Sequence, residues 1–176
     1  MSLDRAQEDL LVISAQLGDE RAFEALFKAH NAALIGFAFR LCGDQTMAAD
    51  AVQEAWLNLS KTLRRLKDPR GFRAWAYKTV RWRVVDGARR RNLDTTSLED
   101  LGDLSDSSCE PDATPDQVAG QMKILTPAER QLLALFYLDE LKLVEIAGIL
   151  EVPLGTVKSR LNRARAQLRQ QNNGVT

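Results

Sequence analysis

The fold is decided by one stretch of the chain, residues 139–168, which reads DELKLVEIAGILEVPLGTVKSRLNRARAQL. Apolar residues recur in it at helical spacing in two runs, and each run predicts a helix with one buried face. The predicted buried residues are Leu143, Ile146, Ala147, Leu150, Val157, Leu161, Ala164 and Leu168. Between the runs, Pro153 suits the first turn of a new helix, because the N–H that proline lacks would be unpaired there. The pattern therefore predicts a helix-turn-helix.

The second predicted helix has a polar outer face of the kind that touches DNA. Its hydroxyl, amide and guanidinium groups can bond phosphates and reach base edges in a major groove. The candidate DNA-binding residues are Thr156, Lys158, Ser159, Arg160, Asn162, Arg163 and Arg165. An ordinary helical hairpin with a solvated basic face is the alternative, but the turn and both faces agree at the spacing of a helix-turn-helix. Glu151 stands where many such turns have glycine, so we expect slight backbone strain there.

The formal net charge of zero is the sum of unlike blocks. The blocks are residues 1–59 with a net charge of −5, residues 60–92 with +10, residues 93–122 with −8, and residues 123–176 with +3. Such segregation implies partners of different sign along one chain. The acidic block is rich in Asp, Ser, Thr and Pro and lacks Lys and Arg, which predicts a flexible linker. We therefore expect a domain over residues 1–92, a linker over residues 93–117, and a domain over residues 118–176.

The helical patterns predict an all-α fold of two small domains. In the first domain, residues 20–41, 46–66 and 72–91 read as helices. Gly43-Asp44 ends the first of these helices and caps the second, and residues 68–71 form a turn before the third. The second domain has a helix start of its own, a capping box with proline at the first helical position. Its residues are Thr126, Pro127 and Glu129.

Membrane proteins, metal proteins and enzymes receive little support. No apolar run approaches the length of a membrane span and the N-terminus is polar and acidic, so we expect a cytoplasmic protein without membrane insertion. Cys42 and Cys109 lack the spacing of metal ligands and of a structural disulfide. His30 is the only histidine, has no partner at nucleophile–base spacing, and is expected to be a surface or capping residue. We predict no metal, no cofactor and no enzymatic activity.

Five segments, taken in order, carry a resemblance to a known family. They are GDERAFEALF (18–27), ADAVQEAWLNL (49–59), FRAWAYKTVRWRVVDGARRR (72–91), LTPAERQLLALFYLDELKLVEIAGIL (125–150) and VPLGTVKSRLNRAR (152–165). With the acidic linker between the third and the fourth, they resemble the extracytoplasmic-function (ECF) group of bacterial sigma factors, the promoter-recognition subunits of RNA polymerase. The resemblance implies one helical domain for the −10 promoter element, a second for the −35 element, and no enzymatic activity.

The resemblance also implies partners. They are promoter DNA, core RNA polymerase through its β′ clamp helices and its β flap, and an anti-sigma factor as the usual restraint of the group, although no residue here identifies one. The family threads its linker through polymerase channels that otherwise hold RNA, and a polyanionic segment is electrostatically suited to that path. A solubilising tether is the alternative role of the linker.

One polar helix face is a candidate for polymerase binding. Its residues lie at i, i+3, i+4 and i+8, opposite the apolar side of the same helix. They are Asp50, Gln53, Glu54 and Asn58. The resemblance implies that this face binds the β′ clamp, whereas from spacing alone it is a solvated helix face. Relatives often have acidic residues where Met47 and Ala49 stand, and a phosphate on Thr46, Ser60 or Thr62 would restore negative charge, which we state as a hypothesis.

The block from Lys61 to Arg91 interleaves cations with aromatic residues, a combination that suits a DNA strand being separated. The resemblance places the −10 surface here. The candidate residues are Lys61, Arg64, Lys67, Arg70, Arg73, Tyr77, Lys78, Arg81, Arg89 and Arg90. Phe72 and Trp75 are expected in the core by their spacing. Trp82 stands where relatives often have asparagine, so the −10 bases cannot be carried over from the family.

A conventional transcriptional regulator is the second reading of the chain. Such a protein would bind operators as a dimer through the same helix-turn-helix, with the first domain sensing a ligand. This reading predicts a dimer interface and a ligand pocket. The first domain instead has a strongly basic helix and no obvious set of ligand-binding residues.

Overall fold

A computed structural model describes residues 4–94 and 125–173 of the chain, with side chains for residues 4–91 and 125–170. The chain divides into two compact units, residues 1–97 and 98–176. The described part of the first unit is built from α-helices and 3-10 turns and that of the second from α-helices, which confirms the predicted fold class. Apart from its first two residues, the predicted linker lies outside the described residues, as does Cys109.

The described part of the first unit has four α-helices. They are α1 (Arg5–Gln16), α2 (Glu20–Cys42), α3 (Gln45–Thr62) and α4 (Phe72–Asp94), with 3-10 turns Leu63–Arg65 and Pro69–Gly71 between α3 and α4. Gly43 ends α2 in the left-handed region (φ +67°), and the Asp44 carboxylate accepts from the Met47 N–H at 2.9 Å, as predicted. The helix expected over residues 46–66 instead ends at Thr62, because the chain tightens there into a 3-10 turn.

Helix α1 was not predicted from the sequence. Its buried side is small, since Glu8 and Val12 are its only buried residues. Because one of these two is charged, the sequence shows no regular spacing of apolar residues that would have predicted a helix. Three apolar residues instead face outward: Leu10 and Ile13 of α1, and Leu17 directly after it.

The core of the first unit is aromatic. Trp56 of α3 stands at its centre, with ring centroids 5.7 Å from Phe23, 5.1 Å from Phe27 and 6.4 Å from Phe72. The Trp56 indole N–H donates to Asn31 Oδ1 at 3.1 Å, so the one polar atom of the ring is satisfied. Burying a side chain such as Phe72 contributes about 1.5–3 kcal/mol. This core joins α2, α3 and α4 and so sets where their outer faces point.

Two predicted surface residues are part of this core. Tyr77 is only 2% exposed, and its ring lies 5.0 Å from Phe37, so it packs against α2 instead of facing outward. His30 is 8% exposed, and its ring lies 5.7 Å from Phe72. The expectation of a surface or capping histidine was wrong, because α1 covers this part of α2.

A buried ionic cluster joins α1 to α2 and α4. Glu8 is 5% exposed and accepts from Arg73 Nε at 2.7 Å, while His30 Nε2 lies 3.3 Å from the same carboxylate oxygen. Burial raises the pKa of Glu8, but the neighbouring His30 and Arg73 outweigh it, so that the pKa lies below its ordinary value. Glu8 is therefore held ionised, with the Arg73 cation of α4 paired to it and His30 of α2 beside it.

The described part of the second unit has three helices. They are α5 (Pro127–Tyr137), α6 (Leu143–Leu150) and α7 (Leu154–Asn173). The predicted capping box of α5 is present: Thr126 Oγ1 accepts from the Glu129 N–H at 3.3 Å, and the Glu129 carboxylate accepts from the Thr126 N–H at 3.0 Å.

The predicted buried face of α7 is largely confirmed, and that of α6 is shifted. Val157, Leu161 and Ala164 are buried, and Leu168 is half-buried. On α6 the buried residues are Ile146 and Ile149, whereas the predicted Leu143, Ala147 and Leu150 are half-buried. A helix of only two turns has too few positions for the apolar period to distinguish adjacent stripes.

Replacing Glu8 by glutamine should destabilise the first unit. Glu8→Gln removes the charge opposite a nearly buried Arg73, and we expect the free energy of unfolding to fall by roughly 3 kcal/mol at neutral pH. Because the folded-state pKa of Glu8 is lowered from 4.5, this contribution is present above that pH and is lost as the pH falls further. Chemical unfolding followed by tryptophan fluorescence at pH 7 and at lower pH measures both effects.

Glu24 supplies the control, since it forms an exposed i,i+4 pair with Lys28 at 2.6 Å. Glu24→Gln should change the free energy of unfolding by no more than about 0.5 kcal/mol. Equal losses in the two variants would show that burial of the Glu8 pair contributes nothing particular.

Candidate nucleic-acid and partner interfaces

The turn between α6 and α7 has the geometry of a helix-turn-helix. Glu151 ends α6 in the left-handed region (φ +57°, ψ +38°), as the sequence predicted for a position that often has glycine. The Val152 N–H then donates to the Ala147 carbonyl at 3.1 Å. Pro153 lies one residue before α7, and its carbonyl accepts from the Thr156 N–H at 2.9 Å. The turn therefore sets the direction of α7 relative to α6.

Most of the predicted DNA-binding residues of α7 are accessible. Lys158, Ser159, Asn162 and Arg163 are exposed, and Thr156 and Arg160 are half-buried. They lie on the side opposite the buried Val157, Leu161 and Ala164. The Ser159 hydroxyl donates to the Thr156 carbonyl at 3.0 Å, so it is ordered along the helix.

Arg165 has a different environment from the other candidates on α7. Its Nε donates to the Tyr137 hydroxyl at 2.8 Å. Its guanidinium carbon lies 5.2 Å from the Phe136 ring centroid and 5.4 Å from that of Tyr137, distances of a cation–π contact. The structure thus directs Arg165 back onto α5, where it holds α7, and not outward to DNA as predicted. Sequence spacing placed it on the outer face, but the aromatic pair that attracts it is 28 residues away.

An exposed basic turn connects α3 and α4. Arg64, Lys67 and Arg70, three of the predicted −10 residues, are exposed in it. Arg70 forms a two-pronged pair with Asp68, whose oxygens accept from Nε and Nη2 at 3.0 Å each. The hydrogen bonds from the Arg70 side chain and backbone lower the pKa of Asp68, and this contact raises the pKa of Arg70. Because the pair is fully exposed, a phosphate can compete for Arg70.

Helix α4 carries the other predicted −10 residues, and they fall into two groups. Lys78, Arg89 and Arg90 are exposed, Arg81 is half-buried, and Lys61 is exposed at the end of α3. Arg73 and Tyr77, in contrast, face the interior. Arg73 is paired with Glu8 and Tyr77 packs in the core, so neither side chain is exposed on the surface of the unit. Sequence periodicity could not separate the groups, because cations occur on every side of α4.

Trp82 is a further candidate that the sequence did not assign. It is 57% exposed on α4, and the Arg83 guanidinium carbon lies 5.0 Å from its ring centroid. An exposed indole beside cations can stack on an unpaired base. The signal in the sequence was the aromatic residue within the basic block, but only the fold distinguishes this exposed tryptophan from the buried Trp56.

The predicted polymerase-binding face lies on the outside of α3. Asp50, Gln53 and Glu54 are exposed, although Glu54 also accepts from Arg83 Nη1 of α4 at 3.3 Å. Asn58 is half-buried, and its side-chain oxygen lies 3.1 Å from the Thr62 hydroxyl, which donates to the Asn58 carbonyl. The face is therefore accessible at its first three positions and closed by local contacts at the fourth.

Two residues that depart from the family pattern lie beside this face. Met47 is half-buried, and its terminal carbon would stand 3.5 Å from a Cβ added at Gly87, so it packs against α4. An acidic side chain there would lose that apolar contact. Ala49 is exposed, as are Thr46 and Ser60, while Thr62 is half-buried.

The described residues contain neither a metal site nor a membrane-spanning helix. Between residues 4–94 and 125–173, no group of His, Cys, Asp and Glu side chains could hold a metal ion. No helix in these ranges is long and apolar enough to cross a membrane.

Two family descriptions match the two units of the chain. Residues 26–93 match Sigma-70 region 2, and residues 116–168 match Sigma-70, region 4. The ECF RNA polymerase sigma factor SigL of Mycobacterium tuberculosis H37Rv is 31% identical over 90% of this chain and 93% of its own length. The chain belongs to the ECF sigma factors. The ECF RNA polymerase sigma factor SigW of Bacillus subtilis strain 168 is 29% identical over 88% of this chain and 90% of its own length.

Solved structures of similar fold agree with this membership. CnrH, solved in complex with the cytosolic domain of CnrY, has a TM-score of 0.63 at 24% identity, over 97% of this chain and 99% of its own. The sigma factor RpoE, solved in complex with the anti-sigma factor NepR from Bartonella quintana, has a TM-score of 0.61 at 20% identity, over 88% of this chain and 98% of its own. At these identities the likeness shows the fold.

As an ECF sigma factor, the protein is a transcription initiation factor that binds core RNA polymerase and directs it to promoter DNA. The family predicted from the sequence is confirmed. Membership in it decides against the alternative of a conventional dimeric regulator.

Relief of the strain at Glu151 should stabilise the helix-turn-helix of this sigma factor. Glu151→Gly removes the Cβ from a left-handed residue, and we expect a gain of up to about 1 kcal/mol in the opening free energy of α6 and α7. Hydrogen exchange of the amides in these helices, followed by mass spectrometry on the full chain, measures it. Glu151→Ala retains the Cβ and should bring no gain. If alanine stabilises as much as glycine, loss of the charge and not backbone strain is responsible.

Proposed function

We propose that this sigma factor holds its promoter at two points, the −35 element with α7 and the −10 element with the turn and helix that follow α3. The observation that carries the proposal is the exposed polar face of α7 behind a well-formed helix-turn-helix turn. A face of this composition can enter a major groove and bond both phosphates and base edges.

At the −35 element, four exposed residues of α7 are the principal contacts, and two half-buried ones flank them. In this proposal Lys158, Ser159, Asn162 and Arg163 approach the DNA directly, and Thr156 and Arg160 reach it from the edges of the face. Arg165 instead holds α7 against α5 through Phe136 and Tyr137. An arginine such as Arg163 recognises guanine most readily, through its O6 and N7 atoms.

At the −10 element, the contact set is the exposed part of the sequence prediction together with Trp82. Cations supply sequence-independent attraction to the strand, while an exposed indole offers a stacking surface for a separated base. The proposed residues are Lys61, Arg64, Lys67, Arg70, Lys78, Arg81, Arg89, Arg90 and Trp82. Arg73 and Tyr77 support this surface from inside.

The outer face of α3 is proposed to bind the β′ clamp helices of core polymerase, and the second unit to meet the β flap. Asp50, Gln53 and Glu54 are exposed there, which supports the proposal. The acidic charge is sparse, and the exposed hydroxyls of Thr46 and Ser60 are available for a phosphate that would add to it. If unmodified and phosphorylated protein bind core polymerase equally well, phosphorylation has no part in docking.

We further propose that the protein acts in the cytoplasm, has no enzymatic activity of its own, and is restrained by an anti-sigma factor. The restraint is proposed because CnrH and RpoE, which are similar in fold, were each solved in a complex, RpoE with the anti-sigma factor NepR. An open groove between α2 and α3 with Phe27 and Leu57 exposed at its edges supports binding of an apolar segment to the first unit.

Two substitutions should separate the DNA surface from the polymerase surface. Arg163→Ala removes a base-edge contact, so promoter binding by the holoenzyme should weaken by roughly 1–3 kcal/mol with core polymerase binding unchanged. Asp50→Ala should weaken core binding and leave the −35 contact intact. Fluorescence anisotropy with labelled promoter DNA and with labelled sigma factor measures the two affinities. Arg169→Ala, exposed farther along α7, is the control and should have little effect. Equal losses of both affinities in both variants would refute the division.

Loss of the exposed indole should affect strand separation. Trp82→Ala should lower opening of a duplex promoter by about 1–3 kcal/mol, because a base loses its stacking partner, whereas Trp82→Phe should retain part of the effect. Fluorescence of 2-aminopurine in the −10 element measures opening. On a template with a preformed bubble the alanine variant should initiate nearly as well as the parent protein. A similar defect on both templates would place Trp82 outside the melting step.

A further inference from the structure

The basic turn between α3 and α4 is held from beneath by a side chain of α1. The Gln16 amide nitrogen donates to the Leu63 carbonyl at 3.0 Å and to the Leu66 carbonyl at 2.7 Å. These carbonyls stand at the two ends of the 3-10 turn, which also has a hydrogen bond of its own from the Leu66 N–H to the Leu63 carbonyl at 3.0 Å. One amide, 47 and 50 residues away in sequence, therefore clamps both ends of the turn.

The chemistry of this clamp is specific to the amide. The Leu63 carbonyl already accepts from the Leu66 N–H, whereas the Leu66 carbonyl gains its donor from the Gln16 amide. A glutamine amide offers two N–H donors, which matches the two carbonyls. Glutamate at the same position would present only acceptors when ionised, and methionine, of similar length, would present no donor.

Helix α1 is itself anchored, so the clamp rests on a fixed support. Glu8 ties α1 to Arg73 and His30, and Val12 is fully buried below it. At the other end of α1, a Cβ added at Gly18 would lie 3.6 Å from Arg64 Nη2, so the guanidinium of a turn residue passes directly over the α1–α2 connection. The end of α1 and the basic turn form one platform.

We propose that Gln16 is a positioning residue for −10 recognition. By fixing the backbone of residues 63–66, it sets the directions from which Arg64, Lys67 and Arg70 approach the promoter. The inference rests on the proposed −10 role of this turn. Base-directed contacts need a backbone held within a fraction of an ångström, whereas attraction of cations to phosphates tolerates movement. Loss of the clamp should therefore reduce sequence discrimination more than overall DNA affinity.

The test uses full-length protein and core RNA polymerase on a promoter library with randomised −35 and −10 regions, with the transcripts sequenced. Gln16→Met should lower discrimination between preferred −10 sequences and their single-base variants by at least about threefold, and Gln16→Glu should lower it further. Affinity for core polymerase, discrimination at −35, and the salt dependence of DNA binding should stay close to those of the parent protein, because the cations are all retained.

Val52→Ala is the matched control for stability, since it loosens the core from α3, which packs against α2 and α4, and leaves the support of the clamp in α1 intact. It should lower the melting temperature at least as much as Gln16→Met while −10 discrimination is unchanged. If Val52→Ala lowers −10 discrimination as much as Gln16→Met does, or if Gln16→Met leaves it intact, the positioning role is refuted.

Two variants distinguish a failure of this role from a failure of the −10 assignment. Arg64→Ala and Lys67→Ala remove cations from the turn itself. If neither changes −10 selection or promoter affinity, or if the parent protein selects no −10 sequence, the −10 assignment fails and the role of Gln16 falls with it. If both variants change −10 selection and Gln16→Met does not, the −10 assignment stands and only the positioning role is wrong.

Discussion

The first unit depends on the need to compensate one buried charge. Glu8 lies out of water, and an ionised carboxylate in such a place is tolerated only when cations and hydrogen bonds surround it. Arg73 of α4 supplies a cation and a hydrogen bond, and His30 of α2 lies against the same carboxylate oxygen, so α1 is fixed against the two longest described helices of the unit. Since α1 also brings Gln16 to the basic turn, a buried ion pair and this exposed turn are linked through one short helix.

In the second unit, a different constraint sets the direction of α7. Helix α6 has two turns and few buried residues, so the direction of α7 depends on the left-handed Glu151 and on the packing that follows it. Arg165, held by the Tyr137 hydroxyl and two aromatic rings, adds a lateral contact to α5. Arg165, which the sequence predicted as a DNA contact, thus orients α7 against α5 in the structure.

In the basic block of the first unit, too, several arginines contact other residues of the protein. Arg73 neutralises Glu8, Arg83 reaches Glu54 of α3, and Arg70 pairs with Asp68. Farther along α4, Arg90 pairs with Asp86 and Arg91 with Asp44. A net charge of +10 over residues 60–92 attracts a polyanion as a whole. Which individual cations are available for it depends on the acidic residues that the fold brings close.

Local and periodic features were determined by the sequence: the all-α class, the caps at Asp44 and Thr126, the left-handed Glu151, and the family itself, because each rests on residues close together in the chain or on ordered motifs. Helix α1, the burial of His30 and Tyr77, and the exposure of Trp82 were decided only by the tertiary structure. Helix α1 and the burial of His30 and Tyr77 depend on partners more than 20 residues away, and the exposure of Trp82 depends on which side of α4 the other helices cover. Amphipathic period indicates that a helix has a buried side, but it cannot say which distant carboxylate, ring or carbonyl will meet a given side chain.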